Sequence, residues 1–146
     1  MFIPDYPDTI HDVTGALCTE LDLSATGTDE EHWDGWVRTD EVRQLGTEFL
    51  APLNAQLART GAPATANKPF SWSSISIADP AGRGFERKGY CAADRLVRQR
   101  DESFTLQGNQ NGTLHPNEAG HRWIADIVYP VVRSKLYPAG TARRPV

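Results

Sequence analysis

The chain has 146 residues, 39% hydrophobic and 23% charged, with a formal net charge of -4. This composition fits a globular chain, and the length suits one domain able to bury roughly 70% of its unfolded surface. The acidic balance argues against a nucleic-acid binder, which normally carries a basic face, and no apolar run approaches the roughly 18 residues of a membrane span.

Residues Met1 to Asp8 lack the basic start and long apolar stretch of a signal peptide, so no export signal is expected in them. Phe2-Ile3 followed by Pro4, Asp5, Pro7 and Asp8 reads as the end of a buried strand running into a loop. So short a strand end cannot nucleate a sheet by itself. Asp5, Asp8, His11 and Asp12 read as a solvated acidic loop. From Ile10 to about Asp34 the chain is polar and rich in Gly, Thr and Asp, which predicts a long irregular connection with one helical turn. Trp33 and Trp36 near its end read as packing residues.

A helix is predicted from Asp40 to Arg59, because Val42, Leu45, Phe49, Leu53 and Leu57 recur at spacings of three or four. Thr39 or Asp40 supplies its N-cap, Gly61 and Pro63 stop it, and Pro52 should kink it. Phe70 to Ile77 reads as a strand, with Ile75 and Ile77 facing inward. Phe85 to Arg98 reads as loop with a short helix, and Gln107 to Gly112 as a polar loop. A final helix from about Asn117 to Leu136 carries Ile124, Ile127, Val128, Val131, Val132 and Leu136 on its apolar side and should bend at Pro130. Residues 138–146 read as a disordered tail. The order is that of an α/β domain with a parallel sheet, yet the chain supplies only about one and a half strands of a sheet type that is normally buried on both faces. An open sheet edge of this kind favours aggregation.

Cys18 and Cys91 are the only cysteines. They fit neither a metal spacing nor a C-x-x-C redox pair, and two free thiols or one disulfide both satisfy the residue-level reading. The arginines at 95, 98 and 100, and at 143 and 144, read as solvated surface and tail. His115, Glu118 and His121 do not make a metal site, since a spacing of six puts the two histidines on nearly opposite sides of a helix. No metal and no cofactor is expected.

The informative string is Gly112-Thr113-Leu114-His115-Pro116-Asn117-Glu118-Ala119-Gly120-His121. A histidine on a loop just before a helix, with Pro116 after it, is held by a stiff backbone while its ring can face a cleft. Its ordinary pKa near 6.5 suits it to take and return a proton near neutral pH. Asn117 is placed to cap the helix, and Gly120 permits close packing in its first turn.

Leu114-His115-Pro116-Asn117 with Ala119-Gly120-His121 and an amphipathic helix resembles the histidine block of the SGNH (GDSL-like) serine hydrolases, whose pattern is H-P-N-x-x-G-H or H-P-N-x-x-G-Y. Ile3-Pro4-Asp5-Tyr6-Pro7-Asp8 is similar to the segment after the family's fourth strand, and Trp72 to Asp79 to its fifth. Gly89-Tyr90-Cys91 and Gln107-Gly108 are similar to segments of secreted actinobacterial-type members. The resemblance implies the C-terminal part of a flavodoxin-like, three-layer parallel-sheet fold with an incomplete sheet, residues 1–137 forming a partial domain. It implies an esterase or lipase, acting on an ester or an acyl-glycan or lipid substrate, with His115 as general base. It also implies a disulfide between Cys18 and Cys91.

The sequence departs from the family pattern in three respects. There is no Gly-Asp-Ser and no G-x-S-x-G elbow; Ser71, Ser73, Ser74, Ser76 and Ser103 read as lying in a strand or in loops. The oxyanion-hole glycine and the asparagine of the family's G-x-N-D motif are absent too, and losing one such donor costs about 3–4 kcal/mol of transition-state stabilisation. The usual acid of the D-x-x-H motif is replaced by Gly112, so that the backbone carbonyl of Gly112 or Thr113 would have to orient the ring. The expectation is therefore a fragment that contributes the histidine to a site whose serine comes from a missing N-terminal half. The alternative is a degenerate homologue, inert or acting as a binding or interaction protein.

Overall fold

A computed structural model describes residues 2–18, 21–22, 36–37, 39–61, 73–79 and 81–138. It combines helices with short strands. Phe2–Pro4 (β1) pairs in parallel with Ser73–Ile75 (β4), with Phe2 opposite Ser73 and Pro4 opposite Ile75. Asp5 extends the ladder by donating its N–H to the Ile75 carbonyl at 3.0 Å. Parallel strands require a crossover, and helices supply it here: Thr39–Gln44 (α1), a π-helical segment Leu45–Leu50, and Ala51–Gly61 (α2) follow one another without a break. The expected strand from Phe70 is described only from Ser73; Ile75 and Ile77 are buried. This small parallel sheet, flanked by helix, is a mixed α/β arrangement.

The connection after β1 is more structured than its composition suggests. His11 and Leu17 form an antiparallel bridge. Leu21–Asp22 (β2) pairs antiparallel with Trp36–Val37 (β3), where an irregular segment with one helical turn was expected. Residues 23–35 and 62–72, and the tail beyond Pro138, lie outside the described residues, as does the reading of Trp33.

The π segment changes which face of the long helix is buried. The spacing rule put Phe49 on the apolar stripe, but Phe49 is 52% exposed and Leu50 is buried. The cause is Pro52. A proline nitrogen has no hydrogen for the carbonyl four residues back and its ring crowds that carbonyl. The preceding turns widen, and Ala51 bonds five residues back to Gly46. A π turn carries one extra residue, so the inward position after Leu45 passes from Phe49 to Leu50, and Leu53 and Leu57 follow in α spacing. Phe49 packs edge-on against Tyr6, with ring centroids 6.5 Å apart. Asn54 fixes this end of the loop by accepting from the Tyr6 N–H and donating to its carbonyl.

The core gathers Ile10, Cys18, Val42, Leu50, Ile77, Phe85, Tyr90, Leu96 and Val97. Cys18 and Cys91 are joined by a disulfide that spans 73 residues. Beside it the Gly89-Tyr90 backbone lies against Thr9 and His11, with Gly89 N–H on the His11 carbonyl and Tyr90 N–H on that of Thr9. A side chain at 89 would fall 2.5 Å from the His11 oxygen, so the approach requires glycine. Arg100–Gln107 (α3) follows, where no helix was expected, and Glu118–Leu136 (α4) ends the described chain. The first half of α4 packs Trp123, Ile124, Ile127 and Val128 on the core, and the Trp123 indole donates to the Ile77 carbonyl at 3.1 Å. Its apolar side does not stay covered to the end: Val131 and Leu136 are exposed, beside Tyr129 and Tyr137. The helix is continuous through Pro130.

Candidate functional site

His115 stands where two anchored segments meet. The backbone from Arg95 to Arg98 runs antiparallel to that from Leu114 to Asn117, bridged at Val97 and Pro116. Arg98 N–H donates to the His115 carbonyl at 2.8 Å, Leu114 N–H to the Arg98 carbonyl at 3.0 Å, and Asn117 N–H to the Leu96 carbonyl at 2.9 Å. Asn117 serves twice as a side chain. Its carbonyl oxygen accepts the Gly120 N–H at the start of α4, and its amide donates to the Arg95 carbonyl. The expected cap is therefore also a cross-link. Gly120 is required by contact, because a Cβ there would lie 2.1 Å from the Leu96 oxygen.

Between these anchors the chain makes a tight turn from Gly112 to His115. Thr113 has φ -61° and ψ 138°, Leu114 has φ 65°, and the His115 N–H closes the turn on the Gly112 carbonyl at 3.2 Å. This is a type II turn with leucine where glycine is the usual residue. Leucine in the left-handed region costs about 1–2 kcal/mol, set against packing of its side chain on the core. The outcome is an exposed imidazole on a rigidly held backbone. Among the described residues, no hydrogen bond or ion pair engages its ring. The Gly112 carbonyl accepts the backbone N–H of His115 and keeps a second lone pair.

No described serine lies against this imidazole through a hydrogen bond. Ser73 and Ser74 belong to β4, and Ser76 follows it; Ser71 lies outside the described residues. Ser103 is on α3 rather than in a loop, and it is fully buried. A groove of about 790 Å³ separates α3 from the first turn of α4. Asn117 and Glu118, just beyond His115, form one wall and Arg98 another, but His115 itself does not line it.

One arrangement escaped the sequence reading. Asp8 accepts from His11 Nδ1 at 2.7 Å, with both side chains partly buried, and takes the Ile10 N–H on the same oxygen. The D-x-x-H spacing missing at 112–115 is thus present at Asp8-Thr9-Ile10-His11, and that spacing was the available signal. Asp12 is occupied with its own turn, accepting from the Thr14 hydroxyl and from the Thr14 and Ala16 N–H groups.

Among the described residues no helix is long and apolar enough to cross a membrane. Comparison of the chain with protein-family models, with curated proteins and with solved structures gave no match.

Proposed function

We propose that this chain is part of an SGNH-type carboxylic ester hydrolase, built on the C-terminal portion of a flavodoxin-like parallel-sheet fold, with His115 as general base. The observation that supports this most is the presentation of His115: an exposed imidazole at the end of a closed turn, clasped by Arg98 and followed at once by the Asn117 cap. A base so held takes the proton of a serine hydroxyl as the oxygen attacks the acyl carbon, then returns it to the leaving alcohol. No described group holds the ring in this structure, so on this reading the imidazole turns to place Nδ1 on the carbonyl of Gly112 or Thr113, which stands in for the usual aspartate. The serine and the oxyanion donors come from outside these 146 residues, and the substrate is an ester or an acyl-glycan or lipid.

The reading is tested with the purified chain, a short acyl ester and a fluorophosphonate probe. No turnover and no labelled serine are expected. Turnover with one of this chain's own serines labelled contradicts it.

A second reading rests on a separate observation, the 2.7 Å contact between Asp8 and His11. An acid fixing Nδ1 sets the tautomer and leaves Nε2 for proton transfer. The pair follows β1 at the carboxyl end of the parallel strands, where ligands bind in open α/β sheets. On this reading His11→Gln, and not His115→Ala, removes ester hydrolysis.

A further inference from the structure

We infer that Ser103 is the positioning residue for His115; the inference rests on the general-base reading above. Ser103 is fully buried on α3. Its hydroxyl donates to the Asn109 carbonyl at 2.7 Å and accepts the Gly112 N–H at 2.9 Å and the Gln107 side-chain amide at 3.1 Å. A hydroxyl has one proton and two lone pairs, so each is committed. This saturation removes Ser103 as a nucleophile, since its proton faces Asn109 and not an imidazole. It also makes the hydroxyl a node that binds both ends of the segment from Asn109 to Gly112.

That segment leads straight into the turn that carries His115. Gly112 is held at its N–H by Ser103 and at its carbonyl by the His115 N–H. The far side of the turn is held by the backbone of Arg98. Leu114, between the two anchors, sits at φ 65°, a conformation that persists only where the surroundings over-determine it. Releasing the Ser103 anchor lets Leu114 relax toward negative φ, and His115 turns with it. Gly112 fits the node closely: a Cβ there would stand 2.9 Å from the Ser103 oxygen and 2.8 Å from Gln107 Nε2.

The test is NMR on the full chain carrying Ser103→Ala, with Gln107→Ala as a milder variant that, at an exposed position, removes the amide's bonds to the Ser103 hydroxyl and to the Asn109 side chain. In Ser103→Ala the Gly112 amide exchanges about tenfold faster or more, as loss of one buried hydrogen bond requires. The His115 ring signals shift or split while those of His11 stay in place, and Gln107→Ala gives the same changes at smaller amplitude. Unchanged His115 signals in both variants overturn the inference. So does uniform acceleration of all core amides with His115 and His11 equally affected, which marks Ser103 as a general core residue. In the protein supplied with its serine, Ser103→Ala lowers kcat about 100-fold and leaves KM within about twofold, the cost of misplacing a catalytic group by roughly 1 Å. If the ring signals respond and no ester hydrolysis is ever found, positioning stands and the ester reading falls.

Discussion

Gly120→Ala tests the junction on which the candidate site is built. The new methyl would begin 2.1 Å from the Leu96 oxygen and 3.1 Å from the Phe85 ring. A carbon and a carbonyl oxygen ordinarily approach to about 3.3 Å, so the first turn of α4 must retreat about 1 Å. The Asn117 N–H bond to Leu96 and the Asn117 amide bond to Arg95, both 2.9 Å, stretch beyond use. Two such bonds contribute about 1 kcal/mol each. Overpacking adds about 1–3 kcal/mol, and the better helix propensity of alanine returns about 1 kcal/mol. The net loss is about 2–4 kcal/mol, a large part of the 5–15 kcal/mol typical of a domain. Urea unfolding followed by tryptophan fluorescence reads it as a lower midpoint. Gly108→Ala is the control: its Cβ meets nothing within 4 Å, although φ is 74°, so it carries only the left-handed penalty of about 1–2 kcal/mol. A Gly120→Ala protein as stable as the Gly108→Ala one refutes the close-packed junction.

The disulfide closes a separation of 73 residues, for which the chain-entropy relation gives about 4 kcal/mol; Cys18→Ala/Cys91→Ala should lose about that much in the same urea assay, and an unchanged midpoint contradicts it. The Asp12 carboxyl is held below its ordinary 3.8 chiefly by the Thr14 hydroxyl, then by the Thr14 backbone N–H. A depressed folded-state value means that this turn stabilises the fold above the unfolded value and ceases to do so as pH falls through the folded one. Carboxyl NMR should place the Asp12 midpoint below 3.8 and show it rising in Thr14→Val; a midpoint that does not move removes the hydroxyl from the account.

The elements with strong local signals were legible in the sequence. Asn117 as cap and Gly120 as contact glycine follow from position alone, and α4 follows from its apolar period. The long helix was legible too, but its buried face was not: a spacing rule assumes 3.6 residues per turn, and Pro52 forces a π segment that shifts the stripe from Phe49 to Leu50. Helix α3 was missed because Arg100–Gln107 has too few apolar residues to show a period. Its signals are at the ends, where Glu102 reaches back to the Gln99 N–H and Gly108 takes the left-handed cap. With α3 went the role of Ser103, whose three partners lie within nine residues of it yet meet only when that helix and the turn after it form. The pairing of Cys18 with Cys91 was not fixed by spacing, because nothing local reports a contact across 73 residues.

On the proposed reading, His115 moves the proton in acyl transfer to a serine from another stretch of polypeptide. The direct measurement is short-acyl-ester hydrolysis by this chain co-expressed with a Gly-Asp-Ser-bearing N-terminal half of an SGNH hydrolase, with His115→Ala and His11→Gln assayed in parallel. His115→Ala should lower kcat by about 10⁴-fold or more, as removal of a triad base does, and His11→Gln should change it little. Full activity in His115→Ala contradicts the claim.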